Sequence, residues 1–221
     1  MPEQEQESPG AQPPSERVRL RRKRERGGYD RELIHAILDA ALLVHVGIVQ
    51  DGQPIVIPTL HARCGEVVYL HGSAASRTLR TIASGAPVCL TASLLDGLVL
   101  ARAAMHHSAN YRSVVLLGRG RPVTDPDERM VALKATVERA GPGRWSEVRP
   151  PSENELKATA VVALPIEEAS AKVRTGPPVD DEEDLAADTW AGVIPMSLQA
   201  GAPQPDPLLR AGIPLPGSVA A

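Results

Sequence analysis

The stretch from Leu42 to Arg63, LLVHVGIVQDGQPIVIPTLHAR, decides the class of fold. Two runs rich in Val, Ile and Leu flank Asp51-Gly52. An Asp-Gly pair between β-forming runs favours the left-handed backbone of a tight hairpin. Pro58 stands inside the second run. Proline has no amide proton to give a ladder, so this strand belongs at a sheet edge or is interrupted there. Period-two alternation sends Thr59, His61 and Arg63 to one face and Leu60 and Ala62 to the other.

Working outward, Asp30 can cap a helix whose Leu33, Ile34, Ile37, Leu38 and Ala41 recur at helical spacing. Cys64-Gly65-Glu66 turns the chain into a third strand, VVYLHG. Ser73 to Ala83 reads as a short helix with Leu79 and Ile82 facing inward, ended by Gly85-Ala86-Pro87. VCLTASLL and LVLARAAMH follow, with Asp96-Gly97 between them as a second hairpin signal. Tyr111 to Val123 is a long strand that Gly118 and Gly120 should bend or bulge. Asp125-Pro126 opens a helix over 127–139, and Ser152 with Glu155 forms a capping box. Residues 158–165 and 168–174 read as the last strand pair, or as one bent strand. Six or seven strands, mostly hairpin-linked, are not the alternation of a doubly wound sheet. They predict a mainly β protein with peripheral helices, a closed antiparallel barrel.

Composition sets the surroundings. A chain of 221 residues with 43% hydrophobic content suits one domain with tails. Residues 1–16, polar and Pro-rich, are expected to be a disordered N-terminal tail. Residues 17–175 form the barrel domain. Residues 176–221, with the acidic patch Asp180 to Asp184, Trp190 and many prolines, form an extension packing on the barrel or on a partner subunit. No Phe and only two Trp and three Tyr leave no aromatic platform for stacking bases. With a net charge of -3, nucleic acid is not an expected partner. The basic run Arg17–Arg26 reads as a solvated arm or a cover strapped over the barrel. Cys64 and Cys89 lack metal or disulfide spacing and read as inert thiols. Neither a signal peptide nor an apolar run long enough to span a bilayer is present, so the expected location is cytoplasmic, away from membranes.

Three segments could carry chemistry. In YLHGSAASRTLR (69–80), a strand ends at a glycine, hydroxyl residues follow, and a helix begins beside an arginine. Free amides and a guanidinium suit a phosphate, although an ordinary helix cap has the same pattern. In IPTLHAR (57–63), the proline frees neighbouring backbone groups for a ligand. In HHSANYRS (106–113), a strand would point His106 and His107 to opposite faces, so they cannot share an ion; no metal site is expected. His35 and His45 are isolated.

In order and spacing, these three blocks, with RKRERGGYDRE (22–32) and ELKATAVVALPIEEASAKVRTGPP (155–178), resemble the pyridoxamine 5′-phosphate oxidase-like FMN-binding split barrels. The branch they resemble is the flavin-nucleotide-binding one related to nitroimidazole-resistance reductases. The resemblance implies a six-stranded antiparallel Greek-key split β-barrel and a homodimer with FMN at its interface. By position it assigns the flavin ring to Pro58, Thr59, Leu60 and His61, chiefly through backbone. It assigns the phosphate to Gly72, Ser73, Ser76 and Arg77 with His71 beside them, and the rim to Asn110, Tyr111 and Arg112. Lys172 and Trp190 would close the site. The implied activity is an FMN-dependent oxidoreductase passing electrons from NAD(P)H or another reductant to a small oxidised substrate, with His61 and His71 as candidate acids. The alternatives are a non-catalytic flavin carrier or sensor, or a split barrel binding haem or a deazaflavin. Ser76-Arg77 is followed by Thr78 where the oxidase has lysine, and Trp190 is followed by Ala191-Gly192 where the oxidase has Trp-x-Arg. Pyridoxamine phosphate oxidation itself is therefore not expected.

Overall fold

A computed structural model of the protein describes residues 12–220. Its strands are β1 (Gly27–Gly28), β2 (Leu43–Gln50), β3 (Gln53–Leu60), β4 (Ala62–Cys64), β5 (Val67–Ser73), β6 (Pro87–Leu100), β7 (Ser108–Arg119), β8 (Arg121–Pro122), β9 (Thr159–Pro165), β10 (Glu168–Arg174) and β11 (Gly192–Pro195). The helices are α1 (Arg31–Ala40), α2 (Arg77–Ala83), α3 (Pro126–Ala140), α4 (Glu153–Ala158) and α5 (Gly217–Ala220).

One sheet runs β1-β10-β7-β6-β2-β3, with β11 also on β6; the other runs β4-β5-β9-β8, and the pairings are antiparallel. Three passages of chain link the sheets: β3 into β4 at His61, β7 into β8 at Gly120, and β9 into β10 at Ile166-Glu167. Counting each passage as one bent strand, and leaving aside the short added strands β1 and β11, gives six strands around a common core, the Greek-key split barrel that the sequence implies. Gly120 is required at its bend. A Cβ there would stand 2.3 Å from Ile82 Cγ2 and 3.3 Å from the Ala163 carbonyl oxygen.

The core is aliphatic, as a chain without Phe must make it. Val44, Val46, Leu90, Leu116, Leu70 and Leu164 from both sheets meet Ile37 and Leu38 of α1 and Ile82 of α2. A smaller cluster, Tyr69, Val161, Ala163 and Val123, packs against Ala132 where α3 covers the second sheet.

Local signals in the sequence hold where the backbone obeys them alone. Asp51 (φ 50°) and Gly52 (φ 76°) make the β2–β3 turn, and β3 is an edge strand, as Pro58 requires. Asp30 accepts from the Leu33 amide at 2.9 Å, Asp125 caps α3, and Ser152 with Glu155 forms the capping box of α4.

Three expectations are corrected, and a fourth is decided between its two forms. Asp96-Gly97 is no hairpin: β6 runs unbroken through it as a bulge, because β7 pairs along its whole length and Arg112 holds Asp96 at 2.7 and 2.9 Å. The chain beyond Leu100 leaves the ladder and coils through a 3-10 turn at Ala104–His106. The helix expected from Ser73 begins only at Arg77, since Ser73 still pairs with Thr159 and Ser76 is the cap. Of the two readings for residues 158–165 and 168–174, the bent strand holds and the pair does not, since β9 and β10 lie in different sheets.

The basic run is a strap. Lys172 Nζ donates to the Arg22 carbonyl at 3.0 Å, the Leu20 amide donates to Tyr29 Oη at 2.7 Å, and β1 pairs with β10. Residues 1–11 of the expected N-terminal tail lie outside the described residues. Ser15, from the rest of that tail, donates to Glu168 at 2.6 Å. No helix among the described residues is long and apolar enough to cross a membrane.

Candidate functional site

Alternation along β5 gives the site its first residue. Val68 and Leu70 enter the core, so Tyr69 and His71 point the other way, toward α3. Tyr69 is closed over by α3 and donates to Glu128 at 2.8 Å; burial and that carboxylate push its phenol up to about 12. One step on, the α3 cover stops short. His71 lines an open cavity of about 380 Å³ with Leu133, Thr136, Val137, Trp145, Val148 and Leu156. Arg149 stands there too, held by Glu155 at 2.6 and 2.8 Å, which keeps that carboxyl well below the usual range. His71 Nδ1 is buried without a hydrogen-bond partner among the described residues, and burial lowers its pKa. The side chain thus lines a mostly apolar cavity with its Nδ1 buried and unpaired, and burial disfavours the charged form of the ring.

His71 is followed by Gly72 and Ser73 at the end of β5. The Ser73 hydroxyl accepts from the Ala75 amide at 3.2 Å, and Ser76 caps α2 by accepting from the Leu79 amide at 3.3 Å. Arg77 is exposed beside that cap and enters no ion pair among the described residues. The chain thus brings His71, Gly72, Ser73, Ser76 and Arg77 to one corner.

Pro58 and Leu60 are exposed on β3, and Thr59 is half-buried. His61 is not on their face. It is 0% exposed, with Nε2 3.0 Å from the Leu38 carbonyl at the end of α1. Arg139 of α3 donates to the Leu38 and Asp39 carbonyls at 3.1 and 2.9 Å, and to that of Ala41. Burial first, then this guanidinium, drives His61 down to about 4. The alternation expected through Thr59, His61 and Arg63 fails because the chain changes sheets at His61. His61 braces α1 and, being enclosed, cannot act as an acid toward a ligand on the outer face.

The other expected positions are scattered. Asn110 is buried, donating to the Gly176 carbonyl at 3.1 Å and accepting from Arg174, which also holds the Pro177 carbonyl at 3.1 Å. Arg112 is committed to Asp96. Tyr111 remains on the outer face of the first sheet. Lys172 is tied to the basic strap, and Trp190 is exposed, lying over Gly192. His106, for which no metal is expected, lies near acidic residues of the extension, 3.7 Å from Asp181, and its donor atom gathers with those of Asp181 and Asp184 within 4.8 Å of one another.

Register gathers a second feature. Leu43 and Val49 of β2, Val56 and Leu60 of β3, Leu95 and Leu98 of β6, Val115 of β7 and Ile194 of β11 share the outer face of the first sheet, and all are exposed, Val56 at 61% and Val49 at 63%. So wide an apolar face is more than a solitary soluble protein normally exposes.

The family model described as pyridoxamine 5′-phosphate oxidase matches residues 30–173, from the cap of α1 to the penultimate residue of β10. The chain belongs to the pyridoxamine 5′-phosphate oxidase family. Among solved structures, it is similar to the flavocytochrome Anf3 from Azotobacter vinelandii: 45% identity, a TM-score of 0.90, 95% of this chain and 98% of that one covered. It is also similar to the FAD and haem binding protein from Mycobacterium smegmatis: 40% identity, a TM-score of 0.85, and coverage of 88% and 96%. A candidate 5-nitroimidazole antibiotic resistance protein from Bacteroides thetaiotaomicron shares the fold, at 22% identity, a TM-score of 0.56, and coverage of 66% and 86%. No curated protein matches the chain. In this family member, the cavity beside His71 is what the sequence reading missed. Its other walls come from α3, α4 and the turn at Trp145, more than sixty residues along the chain.

Proposed function

We propose that this chain is a homodimeric flavin-binding electron-transfer protein that also holds a haem beside His71. The observation that carries the reading is His71 itself, an imidazole with an unpaired Nδ1 in the wall of a mostly apolar cavity. A neutral imidazole nitrogen with no competing partner is a fit ligand for iron, and Leu133, Val137, Val148, Leu156 and Trp145 offer the apolar walls a porphyrin needs. Arg149 at that cavity is a cation for propionates. The two relatives at 40–45% identity, described as a flavocytochrome and as a FAD and haem binding protein, support the pairing of the two groups. The second of them, described as binding FAD, favours FAD over the expected FMN.

Ser73, Ser76 and Arg77 would hold the flavin phosphate through hydroxyls and charge, with Gly72 leaving room. The backbone of Pro58, Thr59 and Leu60 would face the ring, and Tyr111 would stand at the rim. When bound, a flavin takes electrons in pairs from a reductant such as NAD(P)H and a haem accepts them singly. The chain's own work is to bind, orient and keep water away; burial holds His71 unprotonated, and thus able to ligate, near neutral pH. The outer face of the first sheet is the natural dimer contact, closed by the same face of a second copy.

The absorbance of the freshly purified protein and of the His71→Ala variant tests this. A Soret band with flavin absorbance is expected, and the variant should lose the first and keep the second. An unaltered Soret band in His71→Ala overturns the ligand; flavin alone in protein supplied with haem overturns the haem reading. Chromatography of the released flavin separates FAD from FMN. Steady-state NAD(P)H oxidation with nitro-aromatics or quinones separates an enzyme acting on small oxidised substrates from a carrier.

A further inference from the structure

Residues 196–216 are fixed at both ends and yet touch little between. At one end, β11 pairs with β6, and the Met196 amide donates to the Asp96 carbonyl at 3.0 Å. At the other, the Ser218 amide donates to Glu147 at 3.2 Å, and its hydroxyl bonds the same carboxylate. Prolines 203, 205, 207, 214 and 216 hold the span extended. A turn at Asp206–Leu209, with the Leu209 amide on the Asp206 carbonyl at 2.9 Å and the Leu208 amide on its carboxylate at 2.7 Å, holds up two leucines.

The side chains along this span are apolar and bare. Leu198 is 84% exposed and Leu208 90%; Met196, Leu209, Ile213 and Leu215 are exposed too. Together they offer roughly 500–700 Å² of apolar surface, against about 800 Å² per partner in a standard interface. The span leaves the barrel at Ile194, which pairs with Leu98 on the apolar outer face of the first sheet. One chain therefore carries two bare apolar surfaces that meet at β11. A two-fold dimer covers both at once with a single kind of partner, since each copy supplies what the other lacks.

We infer that residues 196–216 are an arm that embraces a second copy of this chain, with Leu208 and Leu209 at its tip packed on the partner. The inference rests on the homodimer proposed above. It goes further by assigning the span a fixed occupant and making it part of the dimer contact.

Sedimentation across protein concentrations is run on the full chain and on the Leu208→Asp/Leu209→Asp double variant. Both leucines are exposed, so the variant keeps the monomer fold, checked by circular dichroism. The full chain should be a dimer at micromolar concentration and the variant should dissociate at least tenfold more readily. A variant that dimerises like the full chain overturns the arm and leaves the dimer standing; a monomeric full chain overturns the dimer itself. A benzophenone amino acid in place of Leu208, in a mixture of heavy-isotope and ordinary chains, gives an independent readout. Cross-links joining heavy to ordinary peptides are expected; cross-links confined to one chain overturn the arm.

Discussion

Acidification from neutrality toward pH 4 should remove about 3 kcal/mol of stability through a single side chain, His61. Its ring is enclosed, and Nε2 faces the Leu38 carbonyl, so Nε2 carries the proton of the neutral form. A second proton would have to enter at Nδ1, which is buried without a partner beside a guanidinium. The folded ring therefore resists protonation until about pH 4, whereas in the unfolded chain it protonates near 6.5. Between those values the unfolded state binds the extra proton, so stability falls as pH falls, by about 1.4 kcal/mol per pH unit. The contribution is complete above 6.5 and exhausted near 4. Urea unfolding at closely spaced pH values, on the protein and on His61→Gln, isolates the effect. Glutamine keeps an N–H for the Leu38 carbonyl and does not titrate. The difference in stability between the two should shift by about 3 kcal/mol against the wild type over the window. Parallel curves, or an imidazole titration of His61 near its ordinary value, would refute the reasoning.

Arg77→Ala should weaken flavin binding by about 1.5–3 kcal/mol, read by fluorescence titration of the apoprotein, while the thermal midpoint stays put. Arg139→Met should cost about 2–4 kcal/mol in urea unfolding, because it strands the carbonyls that end α1 in partly buried surroundings. Gly120→Val should destabilise by at least about 2 kcal/mol, since its side chain would drive into Ile82 and the β9 backbone. Val56→Lys with Leu60→Glu should leave the monomer folded and raise its share in sedimentation; an unchanged dimer would remove the outer face from the contact.

Much of the fold was legible because its signals are local. Asp51-Gly52 turns the chain by its own φ angles, and the caps at Asp30, Asp125 and Ser152 need only the next three residues. The same dipeptide at Asp96-Gly97 does not turn, because β7 pairs on both sides of it and carries β6 through as a bulge. His61 and Ala62 are buried in succession because alternation restarts when a strand enters another sheet. Around the site, the corner from His71 to Arg77 is contiguous and could be read. The cavity could not, for its walls on α3 and α4 meet His71 only through the tertiary fold. The outer face did leave a trace that went unread: Leu43 and Val49 stand opposite the buried Val44, Val46 and Ile48 of β2, and Val56 and Leu60 share their side on β3.

The three bent strands also govern how the chain must fold. Since β3/β4, β7/β8 and β9/β10 each belong to both sheets, neither sheet can be finished while the other is open. No stable half-barrel exists to accumulate, so unfolding should be a single cooperative event. The pairing of β5 with β9 joins residues more than eighty positions apart, as Ser73 with Thr159. Closing such loops before any ladder can reward them places this protein among the slow folders for its size.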